Sequence, residues 1–154
     1  MTAERIENGI YFIQNVGTGT VIDLAGASAI DGAKLQGFAK RDLNDDIVGA
    51  QLWYISHVGN EPVYTIRNIR SLTYADLYGF NAADGTPIVG FHGTGGQNQH
   101  WVFISTPDKK GYNIRNVATG TFIDLYAGGP GNCTPINGWT GLPSMNQVWR
   151  LISI

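Results

Sequence analysis

One aspartate recurs inside an otherwise apolar stretch, at Asp23, Asp76 and Asp124, each followed by a leucine. Aspartate is disfavoured in β-strands, so each placement asks for a reason. A carboxylate there either closes a local turn by accepting nearby hydrogen bonds or accepts them from a ligand. The vicinal hydroxyls of a sugar are paired donors of the right kind, and charge-assisted bonds are stronger than neutral ones. An aromatic follows each aspartate at a constant spacing: Phe38, Phe91 and Trp139. These rings either belong to the core or offer a face to the apolar C–H side of a pyranose. Gln51, Gln99 and Gln147 each stand two residues before a tryptophan. They suit a partly structural role, bonding backbone near the aspartate, with a secondary role at a ligand. Asn98 and Asn146 precede two of these glutamines and carry both a donor and an acceptor for a hydroxyl; in the first repeat that place is Ala50. Trp53, Trp101 and Trp149 close the motif within apolar strands and read as core anchors.

Catalysis finds little support in the same residues. The recurrent carboxylates fall in three different repeats, whereas glycoside hydrolysis needs two carboxyl groups close together. Cys133 has no histidine tied to it by a motif, and His57, His92 and His100 lack metal-ligand spacing. No phosphate-cradling glycine motif opens a helix. The expectation is a non-enzyme without cofactor or metal.

These residues are positioned by a threefold repeat. Trp53, Trp101 and Trp149 are 48 and 48 residues apart, whereas the three aspartates are 53 and 48 apart. Gly37-Phe38, Gly90-Phe91 and Gly138-Trp139 keep the 53 and 48 offsets, as do Asn15, Asn68 and Asn116, and Thr20, Thr73 and Thr121. A five-residue insertion therefore lies between Phe38 and Gln51 of the first repeat. Tyr64-Thr65-Ile66-Arg67 and Tyr112-Asn113-Ile114-Arg115 alternate apolar with polar, the period of a half-buried strand. The aspartate segments supply a second strand, the segments ending in Gly-aromatic a third, and the Gln-x-Trp segments open a fourth. Asp31-Gly32 and Asp84-Gly85 are hairpin-turn dipeptides, while Asn132-Cys133 loses the glycine and suggests a different turn. No apolar pattern of helical period is long enough to form a helix. Repeats of this size cannot bury an apolar face alone, and a propeller needs at least about four of them. The fold expected is all-β, a β-trefoil of three four-stranded repeats spanning roughly 9–57, 58–106 and 107–154 within a single domain, 1–154.

Composition narrows the partners. Only 14% of the residues are charged and the net charge is −2, without the basic patch of a nucleic-acid or membrane-surface binder. The 21 glycines fit many tight turns. No segment reaches membrane-spanning length, and the N-terminus lacks a signal-peptide stretch. With one cysteine as well, a cytoplasmic location is expected, secretion by an unconventional route remaining open.

The Gln-x-Trp triplet, once per repeat, resembles the signature of the ricin-B-type lectins over essentially the whole chain. Ile22-Asp23-Leu24, Asp84-Gly85-Thr86-Pro87-Ile88-Val89-Gly90-Phe91 and Asn137-Gly138-Trp139-Thr140-Gly141 look like the fungal branch of that family, typified by the fairy-ring mushroom agglutinin. The resemblance implies galactose or N-acetylgalactosamine on glycoproteins or glycolipids as the ligand. It also implies sugar contacts by Asp124, Trp139, Asn146 and Gln147, with Asn137 in addition; by Asp76, Phe91, Asn98 and Gln99; and by Asp23, Phe38 and Gln51, with Gln36 as a helper. The third repeat fits best, then the second, then the first. That agglutinin also carries a protease-like domain, and the match here covers only its trefoil. The alternative is a trefoil protease inhibitor or protein-binding module acting through loop 39–50, although such a protein has no use for sugar-type residues kept in register three times. Homodimerisation is left open by the spacing.

Overall fold

The computed structural model describes residues 2–154 and is a β-trefoil of twelve strands. The first repeat contributes β1 (Gly9–Asn15), β2 (Val21–Leu24), β3 (Ala33–Phe38) and β4 (Trp53–His57). The second contributes β5 (Tyr64–Asn68), β6 (Tyr74–Leu77), β7 (Thr86–Phe91) and β8 (Trp101–Ser105). The third contributes β9 (Tyr112–Asn116), β10 (Phe122–Leu125), β11 (Thr134–Trp139) and β12 (Trp149–Ser153). Strands β1, β4, β5, β8, β9 and β12 pair in a closed antiparallel ring, which leaves this barrel no free edge. The hairpins β2–β3, β6–β7 and β10–β11 cap one end, and their second strands pair with one another in a triangle. Only short 3-10 turns interrupt the strands, as the missing helical periodicity requires.

The recurrent residues explain the closure. Trp53, Trp101 and Trp149 are fully buried in one continuous core with Ile22, Leu77, Phe103 and Leu125. Each indole N–H donates to the carbonyl just before a recurrent aspartate: Ile22 O at 2.9 Å, Ala75 O at 3.1 Å and Ile123 O at 3.0 Å. The tryptophan thus ties the core to the strand that carries the carboxylate. Asn15, Asn68 and Asn116 reach instead to the preceding repeat, donating to Met145 O, Ala50 O and Asn98 O. Their own carbonyl oxygens accept the turn amides Gly17 N, Arg70 N and Ala118 N. These polar repeats are structural ties, the ordinary solution for a buried amide.

The cap corrects the turn assignments. Residues 25–32 and 78–85 separate the strands, so Asp31-Gly32 and Asp84-Gly85 are not two-residue hairpin loops; within each dipeptide the glycine alone has a positive φ, 95° at Gly32 and 90° at Gly85. Cys133 adopts the same backbone at φ 67°, so the third turn is of the same kind despite its lost glycine. The three amides are donors in a cyclic lock: Gly32 N to Gly90 O, Gly85 N to Gly138 O, and Cys133 N to Gly37 O. Asp31, Asp84 and Asn132 accept from His92 N, Thr140 N and Ala39 N in the same three contacts. Glycine is required on the receiving strand, because a Cβ at Gly37 or Gly138 would stand 2.7 or 2.6 Å from a leucine methyl of another repeat.

Holding an ordinary residue left-handed costs about 1–2 kcal/mol, and a glycine recovers most of that less its greater unfolded-state entropy. Cys133→Gly should therefore stabilise the protein by about 0.5–1 kcal/mol, raising Tm by roughly 1–4 °C. A calorimetric scan with Tm unchanged or lowered would contradict the strain assigned to this turn.

Candidate functional site

Each repeat presents one shallow depression between its cap hairpin and the 3-10 turn that leads into its last strand. In the third repeat it measures 260 Å³ and is lined by Asp124, Tyr126, Ala127, Trp139, Leu142 and Asn146. The second repeat's, at 300 Å³, includes Asp76, Tyr78, Phe80, Phe91, Thr94 and Asn98. That of the first repeat is 210 Å³ and contains Asp23, Gln36, Phe38, Arg41, Ile47 and Ala50. The recurrent aspartate and aromatic therefore do converge, three separate times. Antiparallel pairing brings them together: the aromatic ends β3, β7 or β11 beside the second strand, two residues beyond the partner of the aspartate.

The carboxylates are floors rather than surface groups. Asp23, Asp76 and Asp124 are 4%, 3% and 3% exposed. Burial raises the pKa of all three above the usual aspartate value, opposed by hydrogen bonds from Gln36 and Gln51, from Gln99, and from Gln147. Each glutamine Nε2 donates to the carboxylate Oδ2, at 3.1, 2.8 and 2.9 Å. The same nitrogen donates to Ala39 O, His92 O or Thr140 O at 2.9, 2.8 and 2.8 Å. The side-chain oxygen accepts Arg41 N, Thr94 N or Leu142 N. Both amide protons are thus consumed within the protein. Gln51, Gln99 and Gln147 lie beneath the depressions as positioning residues, with no donor left for a ligand. They also lie on the 3-10 turns, not on the fourth strands, which begin at the tryptophans.

The remaining polar groups differ between repeats. Asn98 donates to Leu77 O at 3.0 Å, leaving its buried Oδ1 without a partner. Asn146 is half-buried on the wall of the third depression. Opposite the aspartates across the hairpins stand Gln36, Val89 and Asn137. Gln36 donates to Asp23 Oδ1 at 3.1 Å, so that carboxylate already accepts on both oxygens. Val89 offers Asp76 no such amide, and only Gln147 donates to Asp124. Asn137, the cross-strand partner of Asp124, lines a 310 Å³ hollow at the junction of the three cap hairpins, as its counterpart Gln36 does.

Two wall residues escaped the sequence reading. Tyr78 and Tyr126 are 53% and 50% exposed and open the 3-10 turns that follow β6 and β10. Tyr126 stands against Trp139 with ring centroids 6.3 Å apart at 59°, giving the third depression an angled aromatic wall. The available signal was Asp-Leu-Tyr at 76–78 and 124–126, against Asp-Leu-Ala at 23–25. In the second repeat His92 stacks on Phe91 at 4.8 Å and pairs through Nδ1 with Asp31 at 2.6 Å. The inserted loop does not project freely: Arg41, Ile47 and Ala50 fold onto the first depression. Among the described residues no group of three or more His, Cys, Asp or Glu is placed to hold a metal ion.

A family model described as ricin-type beta-trefoil lectin domain-like matches residues 2–91, 49–139 and 97–153, together nearly the whole chain. The Rhizoctonia solani agglutinin is similar at 25% identity and a TM-score of 0.84, over 99% of this chain and 100% of its own. The Polyporus squamosus lectin, solved with Neu5Acα2-6Galβ1-4GlcNAc, is similar at 29% identity and a TM-score of 0.80; the match covers 96% of this chain and 50% of that one. An exo-β-1,3-galactanase from Clostridium thermocellum is similar at 25% identity and a TM-score of 0.85, with 98% of this chain matching only 31% of the enzyme's. No curated protein sequence matches the chain.

Proposed function

The chain belongs to the ricin-type β-trefoil lectin-like domain family, and on that premise we propose that it is a non-catalytic lectin for terminal galactose or N-acetylgalactosamine. The observation that carries this reading is a buried carboxylate with an accepting oxygen still open, set under an exposed aromatic wall, in the second and third repeats. The carboxylate accepts from two adjacent hydroxyls, and the aromatic ring packs against the continuous C–H face that galactose presents beyond them. Asn98 and Asn146 supply the neutral amides beside it, while Gln99 and Gln147 hold the carboxylate at its angle. Residues 1–154 act as one such domain, and the motifs shared with fungal agglutinins of the fairy-ring type support the galactoside choice. Each depression holds a single strand carboxylate, which supports binding rather than hydrolysis by a carboxylate pair. Shallow sites of this kind bind weakly alone, and several on one rigid body gain about 10²–10⁴ in avidity on a clustered glycan surface.

The test is a glycan array probed with labelled protein, with free galactose as competitor. Signal on glycans ending in galactose or N-acetylgalactosamine, lost on competition, is the expected result. Signal confined to another sugar class overturns the galactoside assignment and keeps the lectin. A blank array overturns both, and turns attention to a protein partner at the inserted loop.

A further inference from the structure

We infer that the carboxylate and the aromatic of the first repeat's depression are taken up by the chain's own side chains, so that only the second and third repeats take sugar. This deepens, and rests on, the lectin reading above. The guanidinium carbon of Arg41 lies 5.0 Å from the centroid of the Phe38 ring, over the face that a pyranose would use. The backbone N–H of Arg41 donates to Gln51 Oε1 at 2.8 Å, and its Nη1 donates to Asp45 Oδ2 at 3.3 Å. The side chain is 25% exposed, and its Nε is sealed from solvent.

Below the ring, the amide of Gln36 donates to Asp23 Oδ1 and that of Gln51 to Oδ2, both at 3.1 Å. These are the contacts a sugar would make: a donor on the carboxylate and a body against the aromatic. The protein supplies both from its own side chains. What would help a competing sugar is also missing, because Ala25 stands where the other repeats have Tyr78 and Tyr126, and Ala50 where they have Asn98 and Asn146. The plug comes from side-chain length: Arg41 holds the place of Thr94 and Leu142 in the other repeats, three residues after the aromatic with its amide on the glutamine Oε1, and the longer loop that follows supplies Asp45 to its guanidinium. A ligand entering here must displace a cation from an aromatic face and an amide from a carboxylate. Loss of the first alone weakens binding by roughly tenfold. The lectin is accordingly bivalent, with two neighbouring working sites and one sealed.

Lactose titration of ¹⁵N-labelled protein, with calorimetry for stoichiometry, tests this. Two lactose molecules per chain are expected, with shifts at the Trp139 indole and around Phe91 and none at the Gln36 amide. In Arg41→Ala with Gln36→Val and Ala50→Asn, both parts of the plug are removed and the amide restored, and a third site with new shifts around Phe38 is expected. Three sites in the parent, or no third site in the folded triple variant, overturns the plug. Should lactose move no resonance at all, the galactoside reading falls and the plug is judged without sugar. The Arg41 Nε–H should then exchange with water roughly tenfold more slowly than that of exposed Arg115. Equal exchange overturns it.

Discussion

Asp76→Asn combined with Asp124→Asn should abolish sugar binding and agglutination while leaving the chain folded. Hydrogen bonds to a charged acceptor are worth about 1.5–3 kcal/mol each. Removing the charge at one site therefore weakens it by about 10–150-fold, which takes an already shallow site out of measurable range. Asparagine is the informative replacement because its carbonyl still accepts from Gln99 or Gln147, so no buried amide is orphaned. Stability should hold or improve at neutral pH, since burial raises the pKa of both carboxylates and their ionised forms are thus disfavoured in the fold. The sign of the pH dependence follows. A carboxylate whose folded pKa lies above its unfolded value, about 3.9, destabilises the fold when ionised and stops doing so as pH falls through the folded value. Acidification should then stabilise the parent relative to the variant, while the parent's sugar binding declines over the same range as its acceptors protonate. Parent-like binding by the folded variant would remove these aspartates from the site; a variant unfolded at neutral pH would make them structural.

Trp149→Ala should cost about 3–5 kcal/mol, the range for emptying a buried aromatic site. Trp149 is 0% exposed, and its indole satisfies Ile123 O at 3.0 Å. Truncation leaves both a large cavity and an unpaired carbonyl next to Asp124. Against a typical total of about 5–15 kcal/mol this is a large fraction. Urea unfolding should show a shifted midpoint, and sugar affinity of the third repeat should fall as well because the floor strand loosens. Trp139→Ala makes the contrast: that ring is half-exposed on the wall, so its loss should cost stability little and remove binding at the third repeat. Equal stability of the two variants would show that core and wall have been wrongly divided.

Much of this was legible from spacing because a threefold repeat samples each role three times. Tryptophan at one register and aspartate at another, both preserved across an insertion, separated core from floor before any geometry was known. Spacing kept the aromatic at one distance after the aspartate in every repeat, and the antiparallel pairing of the two strands brings them side by side. The turn at Cys133 was misjudged for a complementary reason. The lost glycine pointed to a new turn type, yet the interlock with Gly37 O holds the same backbone at a local cost.

The linear chain by itself determined the architecture and the residues competent for sugar chemistry, because strand periodicity and repeat register are properties of order along the chain. Which of those residues remain available was decided only by the tertiary structure. Gln51, Gln99 and Gln147 are competent donors whose protons are used up inside the fold, and Tyr78 and Tyr126 become walls because short turns lift them out. Arg41 closes one of three nearly equal depressions. Each of these outcomes depends on hydrogen-bonding capacity and space being claimed by groups distant along the chain or in an irregular loop, and such competition is settled only when the repeats pack together.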